Sequence, residues 1–369
     1  VLVAAAFLVV VLTGAEIARA QALSAGSLLM PSLWAPAGAL LATLFISHGR
    51  RIPLAMAGGA LATAGLLMWR LDWPLSAAAG VGAIQVAECW AIAWIAKRLA
   101  NGRFSLHETR DAGILISTIG AVSLVGALAV GLWIGGVAPD APVRDAWIAW
   151  WLADGTGLLL AGPFLIALAS SEKPLVSAPL LGRTIEIGVL AVMALVSGYG
   201  VFAGFFPPAM RTPSFCLPVF LWASFRFGAG GTGAVMLVVA SMGVLFTLQG
   251  QGPFAMPDAT PVSWLQRTQV TSSMAVISFM LLGSVVAERR RVLIERAELV
   301  TKLQAALAEL NVLQGMIPIC AWCHKIRDDE GDWHKLEAYM EANSAATFSH
   351  GICPSCTAQN PILRDDARG

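Results

Sequence analysis

Four cysteines make the clearest chemical pattern in the chain. Cys320-x-x-Cys323 and Cys353-x-x-Cys356 form two knuckles on either side of residues 324–352. A two-residue gap lets one tight turn deliver two sulfurs, and thiolates both neutralise a divalent ion and match the softness of zinc. So short a segment buries little core, so a metal clamp would supply its folding energy. The spacing predicts zinc held by Cys320, Cys323, Cys353 and Cys356. An iron–sulfur cluster is one alternative. Another is c-type haem, because Cys320-Ala321-Trp322-Cys323-His324 is also a C-x-x-C-H string, although haem leaves the second pair unexplained. His324, His334 and His350 are spare ligands, read as surface or neighbouring residues. Between the knuckles, Asp328 to Asp332 reads as a hairpin turn, followed by a helix over about 333–342. Cys353-Pro354-Ser355-Cys356 opens a short helix. Knuckle, hairpin, helix, knuckle is the order of a small, treble-clef-like α+β module.

A second set of residues carries charge where charge is costly. Asp154 and Glu88 fall inside long apolar runs, Glu88 beside Gln85 at helical spacing, and Arg226 closes a short apolar segment. A charge at mid-membrane costs roughly 2.5–3.5 kcal/mol on insertion scales, so each invites a functional reading. With Trp34, which opens the other short segment, these are the ligand or signal candidates. The bland alternative is that Asp154 bonds a neighbouring helix where Gly155 and Gly157 allow close approach, and that Glu88 is a paired structural acid. Glu16 and Glu186 read as unremarkable acids near membrane surfaces, and the tryptophans as markers of the two interfaces.

The elements that must position these groups are membrane helices. The 369 residues are 57% hydrophobic and only 13% charged, with mean hydropathy +0.71; soluble domains carry roughly 25% charged residues. Apolar runs near the roughly 20 residues needed to cross a bilayer lie at about 1–18, 52–69, 74–96, 112–137, 146–170, 184–206, 229–248 and 264–287, with shorter ones at 33–47 and 213–226. The expected fold is an all-α polytopic membrane protein of about ten helices, two of them short. Segment 1–18 also carries the cleavage-like Ala18-Arg19-Ala20; a retained span keeps the number of crossings even. With every segment crossing, one side holds Arg50, Arg51, Lys97, Arg98, Arg103, Arg110, Lys173, Arg183, Arg226 and Arg289 to Arg291. The other side holds Arg19, Arg70, Arg144, Arg211 and Arg267. This asymmetry puts both termini in the cytoplasm of a bacterial inner membrane, a reducing compartment that disfavours structural disulfides and haem attachment in the module. Net charge is +1, which gives no footprint for nucleic acid.

Four polar patches interrupt the apolar helices: Pro31-Ser32-Leu33-Trp34-Ala35-Pro36-Ala37-Gly38, where a short helix is expected to begin at the outer surface; Trp150 to Gly157, continuing to Gly162-Pro163; Phe220 to Gly228; and Gln249 to Phe254. In this order they resemble the first of the bacterial membrane-associated sensor (MASE) domain families, which commonly show W-P-P-A-G, W-x-x-D-x-x-G-x-x-x-x-x-P, L-W-A-x-x-R-F-G and Q-G-x-G-P-F. The resemblance covers residues 1–287 and implies sensory input to attached signalling domains. Ala35 departs from the family's proline, which leaves the short helix less rigid at its start. The stretch Leu313 to Cys356 resembles an uncharacterised C-terminal module of bacterial sensory proteins through Ile317-Pro318-Ile319-Cys320, Lys325 to Asp329 and Phe348 to Pro354; His324 and Asp332 depart from it. Independently of family, Pro31-Ser32-Leu33-x-x-Pro36 and Pro213-Ser214-Phe215-x-x-Pro218 open the two short segments, and Gln85 and Gln269 follow in matching helices. Such paired, Pro-interrupted short helices suggest a parallel repeat with a site between its halves, although Pro and Gly are common in membrane helices.

From Ala287 to Gln314 the chain has strong helical propensity, free of Gly and Pro. Val292, Leu299, Ala306 and Leu313 at d put Arg289, Arg296, Leu303 and Leu310 at a, a seam apolar in its second half. It suits a short parallel coiled coil and a homodimer; a single amphipathic helix is the alternative. The organisation is thus a sensor domain over 1–287, a signalling helix over 288–314 and a zinc module over 315–369. The residues after Gln314 fall short of a typical catalytic domain of roughly 100–150 residues, and no nucleotide-binding glycine motif follows the linker. The expected function is a non-catalytic sensor or adaptor that relays binding of a small-molecule ligand or partner in the bilayer to a separate cytoplasmic signalling protein. A transporter or channel with a regulatory tail is the alternative.

Overall fold

The computed structural model describes residues 23–25, 28–49, 51–102, 104–138, 143–170, 180–256, 260–310, 317–344 and 346–359. The chain divides into two units, Val1–Val292 and Leu293–Gly369. In the first, β1 (Leu23–Ala25) and β2 (Leu28–Met30) pair antiparallel. They are followed by α1 (Ala35–Ile46), α2 (Arg51–Leu71), α3 (Leu75–Leu99), α4 (Thr109–Val137), α5 (Val143–Ala169), α6 (Leu180–Phe202), α7 (Leu217–Leu248) and α8 (Pro261–Leu310). Among the described residues, seven helices, α2 to α8, are long and apolar enough to cross a membrane, and α1 is a shorter apolar helix. The chain is a multi-pass membrane protein. The span expected at 1–18, with Glu16 and Arg19, lies outside the described residues, as does Leu313 of the linker seam.

The short helix expected at 33–47 begins buried against α5. The Trp34 N–H donates to Ala153 O at 3.0 Å, and Ala153 lies about 15 Å along α5 from Val143 at 1.5 Å per residue. Ser32, Leu33 and Trp34 are fully buried. An extended, buried segment therefore leads into α1. Non-helical backbone survives at membrane depth only inside protein, where its polar groups find partners. Pro36 in the first turn of α1 needs no amide partner there. Gly157 permits the contact, because a Cβ on it would overlap the Trp34 carbonyl and stand 3.0 Å from Ala35 N.

Helix α7 contains two of the expected segments. Gly228 sits at φ 65°, ψ −160°, outside helical geometry, in a region glycine reaches without penalty. Ser224 Oγ lies 3.0 Å from Thr232 Oγ1, whereas eight residues of unbroken helix would separate them by about 12 Å. The chain folds back at Gly228: 217–227 runs one way and 229–248 returns. The most deeply buried span is α5, and it packs against α1, α4 and α7.

Contacts at one end of the bundle gather the basic residues. Lys97 Nζ donates to Leu44 O (3.3 Å), Arg110 to Leu99 O (2.8 Å), Ser284 Oγ to Leu106 O (2.8 Å) and the Thr109 N–H to the Glu288 carboxylate (3.0 Å). Arg291 pairs with Glu108 at 3.7 Å. These bonds join the ends of α1, α3, α4 and α8 that the charge asymmetry assigns to one side.

The second unit begins within α8, which stays helical to Leu310. Strands β3 (Ile326–Arg327) and β4 (Trp333–His334) form a hairpin, followed by α9 (Leu336–Asn343) and α10 (Pro354–Gln359). The helix expected from about residue 333 starts at Leu336, because Trp333 and His334 complete the hairpin. Asp328 closes the turn: its carboxylate accepts the Asp332 N–H at 2.7 Å, and Gly331 takes a φ of 100°. That backbone donor, with His334 at 2.6 Å, holds the Asp328 carboxyl below the ordinary carboxylate range.

Candidate functional site

Three helices and the start of α1 converge on one buried polar cluster. Helix α3 carries Gln85, Glu88 and Cys89 on one face, α4 carries Ser123 and Gly126, and α5 carries Trp150 and Asp154; all are buried. Helical spacing of three and four puts each set on a single stripe. Gly126 is the opening that admits Glu88, since a Cβ there would collide with the Glu88 carboxyl. Across α4 and α5, Ser123 Oγ lies 3.6 Å from where a Cβ on Gly155 would be. The Glu88 and Asp154 carboxyls lie near each other with Gln85 beside them, and all four carboxyl oxygens are buried without a hydrogen-bond partner among the described residues. The Gln85 amide approaches Cys89 Sγ at 3.7 Å, and Cys89 approaches Ala37 O at 3.7 Å, which ties α3 to the first turn of α1.

Aromatic rings close one side. Trp150 stands between Trp34 and Trp73, with centroids 6.1 and 6.2 Å away. These three are core residues, at 0%, 0% and 3% exposure, rather than interface markers. Gln85 Oε1, Ser123 Oγ, Trp34 Nε1 and Trp150 Nε1 are buried without a hydrogen-bond partner among the described residues. A buried polar atom left unpaired costs about 1–3 kcal/mol. So many in one place mark a site rather than simple packing. Two carboxyls, an amide oxygen and a hydroxyl form an acceptor-rich set, suited to a proton or to a small cationic or hydroxyl-bearing ligand, with the indole N–H groups as orienting donors.

Of the membrane candidates, Trp34, Glu88 and Asp154 meet here, and Arg226 does not. Arg226 lies at the fold-back of α7, where its guanidinium pairs with Glu186 of α6. Glu186 is therefore not the unremarkable surface acid its sequence position suggests.

The cluster connects to α8 through backbone. Gln269 of α8 donates its side-chain amide to Ser32 O, two residues before Trp34. Further along, a Cβ on Gly283 would lie 2.8 Å from the Gly228 carbonyl carbon, and Ser224 Oγ donates to Phe279 O at 3.1 Å. The extended approach to α1 and the break at Gly228 thus both rest directly on α8.

The model of the MASE1 family matches residues 3–291. The chain belongs to the MASE1 family. MASE1 domains are membrane-associated sensors, so this part of the chain is a membrane sensor domain. No curated protein and no solved structure matches the chain. Each MASE1-like patch has a place in the structure. The first is the buried approach to α1, where Ala35 replaces the usual proline and Pro36 follows. The second supplies Asp154 and Gly157, the third the fold-back at Gly228, and the fourth the turn where Phe254 stacks on Phe202 at 6.1 Å. Ser123 and Gly126 belong to none of the patches; a serine and a glycine one turn apart on α4 were their only signal.

The MASE1 match stops at Arg291, before the cysteine module. There the first knuckle is a formed turn, in which the His324 N–H donates to Cys320 O and the Cys320 N–H to Lys325 O, both at 2.9 Å, and the second opens α10, where the Thr357 N–H donates to Cys353 O at 3.1 Å. Backbone N–H groups of Cys323 and Trp322 hold the Cys320 thiol below its ordinary range, and the Ser355 hydroxyl, then the Cys356 N–H, bring Cys353 down to about 7. Donors aimed at the sulfurs of Cys320 and Cys353 favour the thiolate that a metal needs. Among the described residues, no group of three ligating atoms within 4.8 Å of one another includes a cysteine; Asp328, Glu330 and Asp332 form one such group, at the hairpin turn. His334 is held by Asp328, and His324 and His350 are exposed.

Proposed function

We propose that the protein is a non-catalytic sensor or adaptor of the bacterial inner membrane, with both termini cytoplasmic. Ligand binding at the Glu88–Asp154 cluster is relayed through α8 to the cysteine module and from there to a separate signalling protein. The observation that carries this reading is the bond from Gln269 of α8 to Ser32 O. Trp34, two residues on, is bonded to Ala153, the neighbour of Asp154, so a ligand that displaces the approach to α1 also moves the partner of α8. In the linker, Leu299 and Leu303 are 64% and 61% exposed on one chain, which favours their burial in a homodimer. Cys320, Cys323, Cys353 and Cys356 would hold zinc, which would supply folding energy to a small module.

The test is a thermal-shift screen of metabolites on purified wild-type protein and on Asp154→Asn. A true ligand at about 100 times its Kd adds roughly 2.7 kcal/mol of stability. It should do so for the wild type and far less for Asp154→Asn. Compounds that stabilise both proteins equally would remove Asp154 from the site. Accumulation of a hit inside proteoliposomes would favour the alternative, a transporter with a regulatory tail.

A further inference from the structure

A cavity of about 440 Å³ opens between α5, α6 and the returning half of α7. It lies apart from the carboxyl cluster. Its origin is geometric: α5 and α6 each pack on α7 but hardly on each other, so a cleft remains between them with 229–248 as its floor. Phe164, Leu190, Val235 and Val238 give it apolar walls. Leu106, which is bonded at the end of the bundle that carries Lys97 and Arg289 to Arg291, lines the cavity together with Arg183, Glu186 and Arg226. Arg226 is neutralised by Glu186, whereas Arg183, one turn before Glu186 on α6, has no ion-pair partner among the described residues. The lip includes exposed apolar side chains, Ile187 at 48% and Leu195 at 49%, which in a bilayer face acyl chains.

We propose that this cleft binds one anionic phospholipid, with an acyl chain between α5 and α6 and the phosphate on Arg183 and Arg226. An apolar slot lined by two arginines against one acid, Glu186, a net positive charge among the described residues, matches both parts of such a molecule, and its volume falls within the range of ligand pockets. Charge complementarity decides against a second copy of this chain as occupant, because among the described residues the acid that lines the cleft, Glu186, is already paired with Arg226. Bound lipid has a route to the output helix. The phosphate would hold Arg226, two residues from Gly228, and Gly228 lies against Gly283 of α8. The site is therefore a second input to α8, independent of the carboxyl cluster.

The test uses the full-length protein in phosphatidylcholine bilayers doped with phosphatidylglycerol that carries a photoactivatable acyl chain. Cross-links should map to cleft residues such as Phe164, Leu190 and Val238. Unlabelled phosphatidylglycerol should displace the probe, and extra phosphatidylcholine should not. Arg183→Gln should weaken binding about fivefold, the worth of one basic residue near a charged membrane surface. Ala191→Phe, at an exposed position on the cleft wall, should reduce labelling while a melting curve shows the fold intact. Labelling spread evenly over the outer helices, or unchanged in both variants, would overturn the proposal. So would displacement by a free fatty acid as strong as by phosphatidylglycerol, or chain-to-chain cross-links at Ile187 and Leu195 that exclude the lipid.

Discussion

Gly157→Ala should be a damaging single-methyl change, and Gly155→Ala, two residues away on α5, a harmless one. Both replace glycine by alanine in a helix interior, which by propensity alone gains about 0.8–1 kcal/mol. At Gly155 the new methyl would lie 3.6 Å from Ser123 Oγ, an ordinary contact. At Gly157 it would overlap the Trp34 carbonyl and lie 3.0 Å from Ala35 N. These are backbone atoms, with no flexible side-chain end to swing aside. Overpacking of this kind costs about 1–3 kcal/mol, and displacing the segment also strains the Trp34–Ala153 hydrogen bond. The two variants should differ by about 2–4 kcal/mol, which for a unit of this size is roughly 5–10 °C in Tm. Thermal melts followed by tryptophan emission suit the question, since Trp34 and Trp150 are fully buried in the affected contact. If Gly157→Ala melts with Gly155→Ala or above wild type, α1 does not pack on α5 as described, and the site built on that contact falls with it.

Reporters fused after Arg50 and Arg226 should behave as cytoplasmic and one after Arg211 as external; an external signal at Arg226 would contradict the fold-back of α7 toward the basic end of the bundle. Elemental analysis of the full-length protein should find one zinc per chain. Any of Cys320→Ser, Cys323→Ser, Cys353→Ser and Cys356→Ser should abolish it, and His324→Ala should leave it. Retention of metal in all four serine variants would refute the four-thiolate site.

The long helices were legible because roughly 20 apolar residues have few other stable homes. Gly228 was visible as a break between two apolar runs, and Asp154 and Glu88 stood out because charge inside such runs is costly. Their meeting was not legible, since it depends on Gly126 letting α3 approach α4. The buried start of α1 against α5 was hidden for a different reason. Apolar residues such as Leu33 and Trp34 look alike whether they enter as helix or as extended chain, and only the protein around them decides. Glu186 was misjudged because its partner Arg226 lies on another helix; no spacing rule within α6 could reveal it. In the tail, the hairpin turn was readable from Asp328 to Asp332, but Trp333 and His334 have propensities that serve helix or strand, and strand pairing with Ile326 won.

The late arrival of its partner shapes how α1 enters the bilayer. A 12-residue helix is well short of the roughly 20 residues a span needs, so Ala35–Ile46 gains too little from lipid alone to insert early. It meets α2 and α3 sooner, but the residues against which its first turn is buried, Ala153 and Gly157 of α5, leave the ribosome only after more than a hundred further residues, on the order of ten seconds at about 5–20 residues per second. During that interval the segment would wait at the membrane surface or against the insertion machinery. It would drop into place once α5 is threaded, and a chain truncated before Val143 would leave it stranded there, a ready mark for quality-control proteolysis.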